Sequence, residues 1–315
     1  MSPQALNRLP LIEQTQHNES IEEIKSALRA LIESKELSLR DISRFTGYSQ
    51  SVASQVLNDK YEGDAEKMND SMARFYRNWV ASNLIVETSV VKQIHATMLL
   101  AWKRKLICQI TGHFGCGKSK SSARFVALND FACYVELTST TTPQSLLHRI
   151  AEALNCENQM NGSQDDKLSA IIRNLSRNNR QLVIDEADNL KPRTLAILKD
   201  IWGGENEGRC SIVLIGTDRL KKLLQDPVLG YLRRRISLKT EVGDIGFEEA
   251  KRISDFWPHK LERDELKQAW NWSLKKFGVA TMVILMARAY DMMQLQGKNK
   301  IDSDCLESAY SMIAD

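Results

Sequence analysis

The six cysteines of this 315-residue chain form no C-x-x-C pair and share no regular spacing, and its five histidines are scattered. Those absences argue against a zinc site and against a disulfide framework. Most of Cys108, Cys116, Cys133, Cys156, Cys210 and Cys305 fall in apolar stretches, where cysteine packs as a small hydrophobe. A reducing compartment follows. No apolar run is long enough to span a bilayer, and the first residues lack the basic-then-apolar order of a signal peptide. The expectation is a cytoplasmic protein of a bacterial cell with no membrane partner. Net charge is also nearly absent, at +3, so the whole-chain figure says little about a polyanionic partner.

The distribution of charge says more. Residues 91–242 carry 23 Lys+Arg against 15 Asp+Glu, whereas 21–80 and 243–315 are each slightly acidic. One nucleotide does not need that surplus, and a nucleic-acid backbone is the natural second ligand. At 43% hydrophobic residues the chain supports packed cores, and its length allows two or three domains.

The basic segment holds Gly112-His113-Phe114-Gly115-Cys116-Gly117-Lys118-Ser119, a match to G-x-x-x-x-G-K-[ST]. A strand is predicted before it, over Leu106–Thr111, and a helix after it, over Lys120–Leu128. In that setting backbone N–H groups and the helix dipole attract phosphate, and Lys118 reaches the β- and γ-phosphates. Ser119 places its hydroxyl on Mg²⁺. Downstream, Gln181-Leu182-Val183-Ile184 ends in Asp185-Glu186, an apolar strand closed by carboxylates. Asp185 is expected to hold Mg²⁺ through water, and Glu186 to take a proton from the attacking water. The cofactors implied are ATP and Mg²⁺, and the activity an ATPase.

Around these motifs strand and helix alternate, with further strands at Ala132–Leu137, Ser211–Ile215 and near Ile236–Leu238. Such alternation predicts a parallel sheet covered by helices. Thr217 follows the fourth strand beside the expected γ-phosphate, and Leu232-Arg233-Arg234-Arg235-Ile236 concentrates three arginines. Ahead of this core, Ile21, Ile24, Ala27, Leu28, Leu31 and Ile32 repeat at helical spacing. A short helix with Ile42 and Phe45 inward then meets a turn at Gly47. Ser49 caps a second helix with Val52, Ala53, Val56 and Leu57 inward. That is a helix-turn-helix pattern. Its outward residues Gln50, Ser51, Ser54, Gln55 and Asn58, with Lys60, are candidates for DNA. No arginine lies among them, which favours weak or nonspecific contact. Thr140 and Thr141 in the Thr138–Thr142 run, and Arg177 with Arg173 and Arg180, are further phosphate candidates. Beyond Val242 the pattern is purely helical, over Phe247–Phe256, Glu262–Phe277, Val279–Leu295 and Ser303–Ile313. The expected domains are a flexible tail (1–20), a helix-turn-helix domain (21–80), a linker (81–95), an ATPase core (96–242) and a helical lid (243–315).

These parts together resemble the AAA+ ATPases, and more closely the target-DNA-binding transposition ATPases of the phage Mu B type. The resemblance runs over about residues 21 to 313 and is carried by Leu57-Asn58-Asp59-Lys60-Tyr61-Glu62-Gly63-Asp64, Val91-Lys92-Gln93-Ile94 and Ile184-Asp185-Glu186-Ala187-Asp188. It implies an α/β fold: a P-loop AAA+ core with a parallel sheet, preceded by an all-helical helix-turn-helix domain and followed by a small helical lid. It also implies a protein that polymerises on double-stranded DNA as an ATP-bound helical filament with little sequence preference. Such a protein delivers the DNA to a DDE-type transposase, stimulates strand transfer, and is released by ATP hydrolysis. On this resemblance Lys118 and Ser119 are the Walker A pair and Asp185 and Glu186 the Walker B pair. Thr217 is sensor 1, and Arg235 is the first choice for an arginine finger, with Arg233 and Arg234 as alternatives. The chain departs from the pattern in the lid, where Gly278-Val279-Ala280-Thr281-Met282 offers no sensor-2 arginine. Arg288, further along, is read as an exposed helix residue, and hydrolysis is expected to be slow and partner-dependent. Two other readings stay open: a replication-initiator or helicase-loader ATPase, and a nucleotide-sensing helix-turn-helix transcription regulator.

Overall fold

A computed structural model describes residues 21–33, 37–61, 63–83, 85–203, 210–255 and 261–313. The tail 1–20 and the last residue of the helix expected to end at Phe256 lie outside these. The chain divides into two units, Met1–Ile85 with Arg252–Lys260 and Val86–Lys251 with Leu261–Asp315.

The described residues of the first unit form helices α1 (Ile21–Glu33), α2 (Leu39–Thr46), α3 (Gln50–Leu57) and α4 (Ala65–Asn83). Apolar residues at three- and four-residue spacing close one core: Ile24 and Leu28 from α1, Ile42 from α2, Ala53, Val56 and Leu57 from α3, Met68, Met72 and Phe75 from α4. A capping box starts α2, with the Ser38 hydroxyl accepting from Asp41 N–H at 3.3 Å and Asp41 accepting from Ser38 N–H at 3.0 Å. Gly47, in the left-handed region, ends that helix, and Ser49 caps the next by accepting from Val52 N–H at 3.3 Å. Two short helices joined by a tight turn are thus present as read. Phe45 is a correction: it is 51% exposed and meets Phe75 edge-on at the rim of the core instead of entering it. The Lys25 ammonium, although 6% exposed, is neutralised by Asp59 at 2.6 Å, which ties α1 to the end of α3.

The second unit is built on five parallel strands in the order β2-β3-β4-β1-β5: β1 (Ile107–Thr111), β2 (Ala132–Glu136), β3 (Gln181–Asp185), β4 (Ser211–Gly216) and β5 (Ile236–Glu241). Strands β1, β3 and β4 are buried along their whole length, as a sheet covered on both faces requires. One face, with Ile107, Leu182, Ile184, Ile212 and Leu214, packs on helices α7 (Pro143–Ala153), α8 (Gln164–Arg177) and α10 (Ile197–Trp202). On the other face α5 (Ser89–Arg104) lies against β1, β4 and β5. Gln181, fully buried, donates to the Met98 carbonyl at 2.8 Å and to Ser211 Oγ at 2.9 Å, which fastens α5 to the sheet. The remaining core helices are α6 (Lys118–Leu128), α9 (Pro192–Leu195), α11 (Asp218–Leu223) and α12 (Gly230–Arg235). Helix α13 (Phe247–Asp255) follows β5.

Among the described residues that follow lie α14 (Arg263–Leu274), α15 (Gly278–Leu295) and α16 (Ser303–Ser311). Met282, Leu285, Met286 and Ala289 of α15 are buried, as are Cys305, Leu306 and Ala309 of α16. Asp302 caps α16 by accepting from Cys305 N–H at 3.0 Å. The stretch 81–95 is not a linker throughout. Helix α4 runs to Asn83, and α5 begins at Ser89 under a Thr88 cap, so residues 89–95 are part of the second unit. A sequence reading missed this because Ser89–Arg104 mixes polar residues with the apolar ones that pack on the sheet. All six cysteines are buried and unbridged. Among the described residues no helix is long and apolar enough to cross a membrane.

Candidate active site

Strands β1, β3 and β4 point their C-terminal ends the same way, so the segments that leave them share one edge of the sheet. From β1 the chain enters the loop Gly112–Ser119 and then α6, whose first residue is Lys118. Gly115 (φ 76°) and Gly117 (φ 98°) take left-handed conformations that side chains disfavour, and these wrap the loop backbone around the helix N-terminus. Lys118 is buried at 7% exposure, and its ammonium donates to the carbonyls of Gly112 and His113, each at 2.8 Å. The His113 ring lies 3.0 Å from the Asp244 carboxylate.

Opposite the loop, β3 delivers Asp185, 2% exposed, whose Oδ1 accepts from Glu186 N–H at 2.8 Å. Its Oδ2 accepts from the phenol of Tyr134 on β2, and the Ser119 side chain lies close to the same phenol. Tyr134 therefore spans the two residues assigned to Mg²⁺ from the sequence. Glu186 takes a left-handed backbone (φ 54°) and opens the short helical turn Ala187–Asn189. Burial and the neighbouring carboxylates of Asp185 and Asp188 push the Glu186 pKa up, while Lys118 opposes them. A raised carboxylate pKa suits a general base. Thr217 closes β4. Its amide donates to Asp188 Oδ2 at 3.2 Å, its hydroxyl donates to the same oxygen, and the hydroxyl also caps α11 by accepting from Arg219 N–H. One carboxylate on the β3 turn thereby places the polar end of β4.

Lys118, Ser119, Asp185, Glu186 and Thr217 are thus brought together. Tyr134 and Asp188 were given no role from the sequence. A phenol in an otherwise apolar strand was the one available signal for Tyr134, and nothing in the sequence paired it with Asp185. An oxygen-rich pair of one hydroxyl and one carboxylate beside a phosphate loop fits Mg²⁺, which completes its shell with substrate phosphate and water.

The lid touches the loop through backbone. Ala280 N–H donates to the Gly115 carbonyl at 3.0 Å, and a Cβ on Gly115 would stand 1.9 Å from the Phe277 carbonyl oxygen. Arg288 is ten residues along α15 from Gly278, about 15 Å at the rise of a helix. It is exposed and pairs with Asp291 at 3.5 Å, so it does not stand in for a sensor-2 arginine at the loop. Arg235 is stacked over Tyr231, 3.9 Å from the ring centroid, and donates to the Tyr231 hydroxyl. Arg233 donates to Gln225 at 2.9 Å, and Arg234 is exposed. Of the DNA candidates, Gln50, Ser51, Gln55, Asn58, Lys60, Thr140 and Arg177 are exposed and Ser54 is half-buried. Thr141 is a correction: it is 7% exposed, and its hydroxyl accepts from Thr138 N–H at 3.1 Å, so it builds the loop instead of presenting itself to phosphate.

A family model described as AAA domain matches residues 101–224. Along more of its length the chain resembles the protein named ATP-dependent target DNA activator B of Escherichia phage Mu, with 28% identity over 78% of this chain and 81% of that protein. It is likewise 28% identical to the protein of the same name from Escherichia phage D108, over 76% of this chain and 78% of that one. In fold it is similar to the Aeropyrum pernix ORC1 protein solved in complex with DNA, at a TM-score of 0.57 and 16% identity over 75% of this chain and 69% of that one. The AAA fold is a nucleotide-binding one, and its phosphate loop, β3 carboxylates and β4 terminus are the elements described above.

Gly115→Ala combines a disfavoured backbone with a collision against Phe277. It is expected to lower the unfolding free energy by at least about 1 kcal/mol and to increase proteolytic cutting between α14 and α15. Equilibrium denaturation and limited proteolysis of the variant check this, and native-like values in both would contradict the lid contact.

Proposed function

We propose that the chain is a Mg²⁺-dependent ATPase that assembles, when ATP-bound, on double-stranded DNA of arbitrary sequence and presents that DNA to a DDE-type transposase. ATP hydrolysis then drives its release. The observation that carries this reading is the likeness to proteins named ATP-dependent target DNA activator B, over four-fifths of the phage Mu protein's length, by a chain whose two nucleotide motifs meet at one sheet edge.

Each part has a job in that scheme. Lys118 neutralises β- and γ-phosphate charge, and the loop amides orient the triphosphate. Ser119 and Asp185 are the residues that hold Mg²⁺, which when bound offsets charge developing on the phosphates. Glu186 receives the proton of the attacking water. Thr217, fixed by Asp188, aligns that water or the γ-phosphate. Arg235 is the first choice for a finger that reaches the nucleotide of a neighbouring copy, with Arg233 and Arg234 as the alternatives. A finger supplied in trans makes hydrolysis conditional on assembly, because a lone subunit leaves transition-state charge uncompensated. The basic surplus of the core and the exposed amides and hydroxyls of α3 together suit a phosphate-tracking, sequence-tolerant grip.

Lys118→Ala is expected to abolish ATP-dependent binding to arbitrary duplex DNA, read by gel shift and by electron microscopy of filaments. Undiminished binding by that variant, or sequence-specific binding of the native chain without nucleotide, would overturn the proposal. Glu186→Gln is expected to retain binding and lower hydrolysis by at least about 100-fold, leaving long-lived DNA complexes. ATP turnover at the native rate by that variant would remove Glu186 from the role of base.

A further inference from the structure

We propose that Tyr134 is a positioning residue that sets the Mg²⁺ affinity of this site by holding the Ser119 hydroxyl and the Asp185 carboxylate in one fixed arrangement. The proposal rests on the assignment of those two residues to the metal. Tyr134 lies on β2, two positions before Glu136, which is the register partner of Asp185 on β3. To reach Asp185 a side chain must extend along the sheet by about two residues, roughly 7 Å. The tyrosine phenol spans that distance with two rotatable bonds, so little conformational entropy is lost in holding it there.

The hydrogen bonds leave little freedom. A carboxylate only accepts, so the phenol donates its single proton to Asp185 Oδ2. With that proton committed, the phenol oxygen can only accept from the nearby Ser119 hydroxyl. The other carboxylate oxygen is taken by Glu186 N–H at 2.8 Å. Both oxygens of Asp185 are thus engaged, one by its own turn and one by β2, and rotation about its terminal bond breaks at least one of these bonds. Ser119 is the second residue of α6, whereas Asp185 ends β3. The phenol thus stands between the phosphate-loop helix and the carboxylate strand. Groups that orient metal ligands in this way commonly carry a 10–100-fold share of metal affinity.

The test uses the full chain and a fluorescent ATP analogue, with binding followed across a Mg²⁺ titration and separately in EDTA. Tyr134→Phe keeps the ring and deletes the hydroxyl. It is expected to need about tenfold more Mg²⁺ for half-maximal binding, with metal-free binding unchanged. A Mg²⁺ midpoint equal to or below that of the native chain overturns the proposal. Metal-free binding weakened by the same factor overturns it too, because the hydroxyl would then serve the fold of the site and not the metal. As a second measurement, adding Tyr134→Phe to Asp185→Ala is expected to shift the midpoint no further than Asp185→Ala alone, whereas additive shifts would show that Tyr134 does not act through Asp185. Native-like nucleotide binding by Lys118→Ala in EDTA would instead reject the nucleotide site itself, an outcome separable from any result at Tyr134.

Discussion

Three strand ends have to meet for this chemistry to exist, and the insertion of β4 between β1 and β3 decides the distance between them. Neighbouring parallel strands lie about 4.8 Å apart. Interposing one strand opens a gap of roughly 10 Å between the phosphate loop that leaves β1 and the carboxylates that end β3. A triphosphate and its metal need about that much room. The gap is floored by the end of β4, which is why a hydroxyl at Thr217 has a place to act. Every other feature of the second unit serves this spacing: apolar strands buried on both faces, helices that cover them, and Gln181, which pins α5 to β3 and β4 through one amide.

Much of this arrangement was legible in the sequence because its signals are local. A glycine-rich loop between a strand and a helix, and an apolar strand closed by two carboxylates, each carry meaning over fewer than ten residues. The two short helices α2 and α3 were equally readable, since Ser49 and Gly47 announce a cap and a stop. What failed to show was non-local. Tyr134 and Asp185 are 51 positions apart, and Asp188 and Thr217 are 29 apart. Only the pairing of β2 with β3, and of β3 with β4, makes either pair neighbours. The sequence likewise could not tell that Thr141 spends its hydroxyl inside its own loop. Loop residues look alike until their partners are known.

Phe45 and residues 89–95 show a second limit, that of periodicity near an edge. An apolar residue at helical spacing was expected inside, yet at the end of an eight-residue helix it meets only the rim of the core and a single ring, Phe75. Helix α5 packs on the sheet and against α6 while keeping polar residues between its buried ones, so its start read as a linker. In both cases composition was right about the side chain and wrong about what lay opposite it.

The joint between the C-terminal segment and the phosphate loop has two parts of different kind. One is main chain, a Gly115 carbonyl accepting from the Ala280 amide with the Phe277 carbonyl beside it. The other is a side-chain pair, His113 with Asp244 at 3.0 Å. The main-chain part cannot be retuned by exchanging side chains, apart from filling the glycine, so it is inherited with the backbone, whereas the His113–Asp244 pair is open to change by single substitutions.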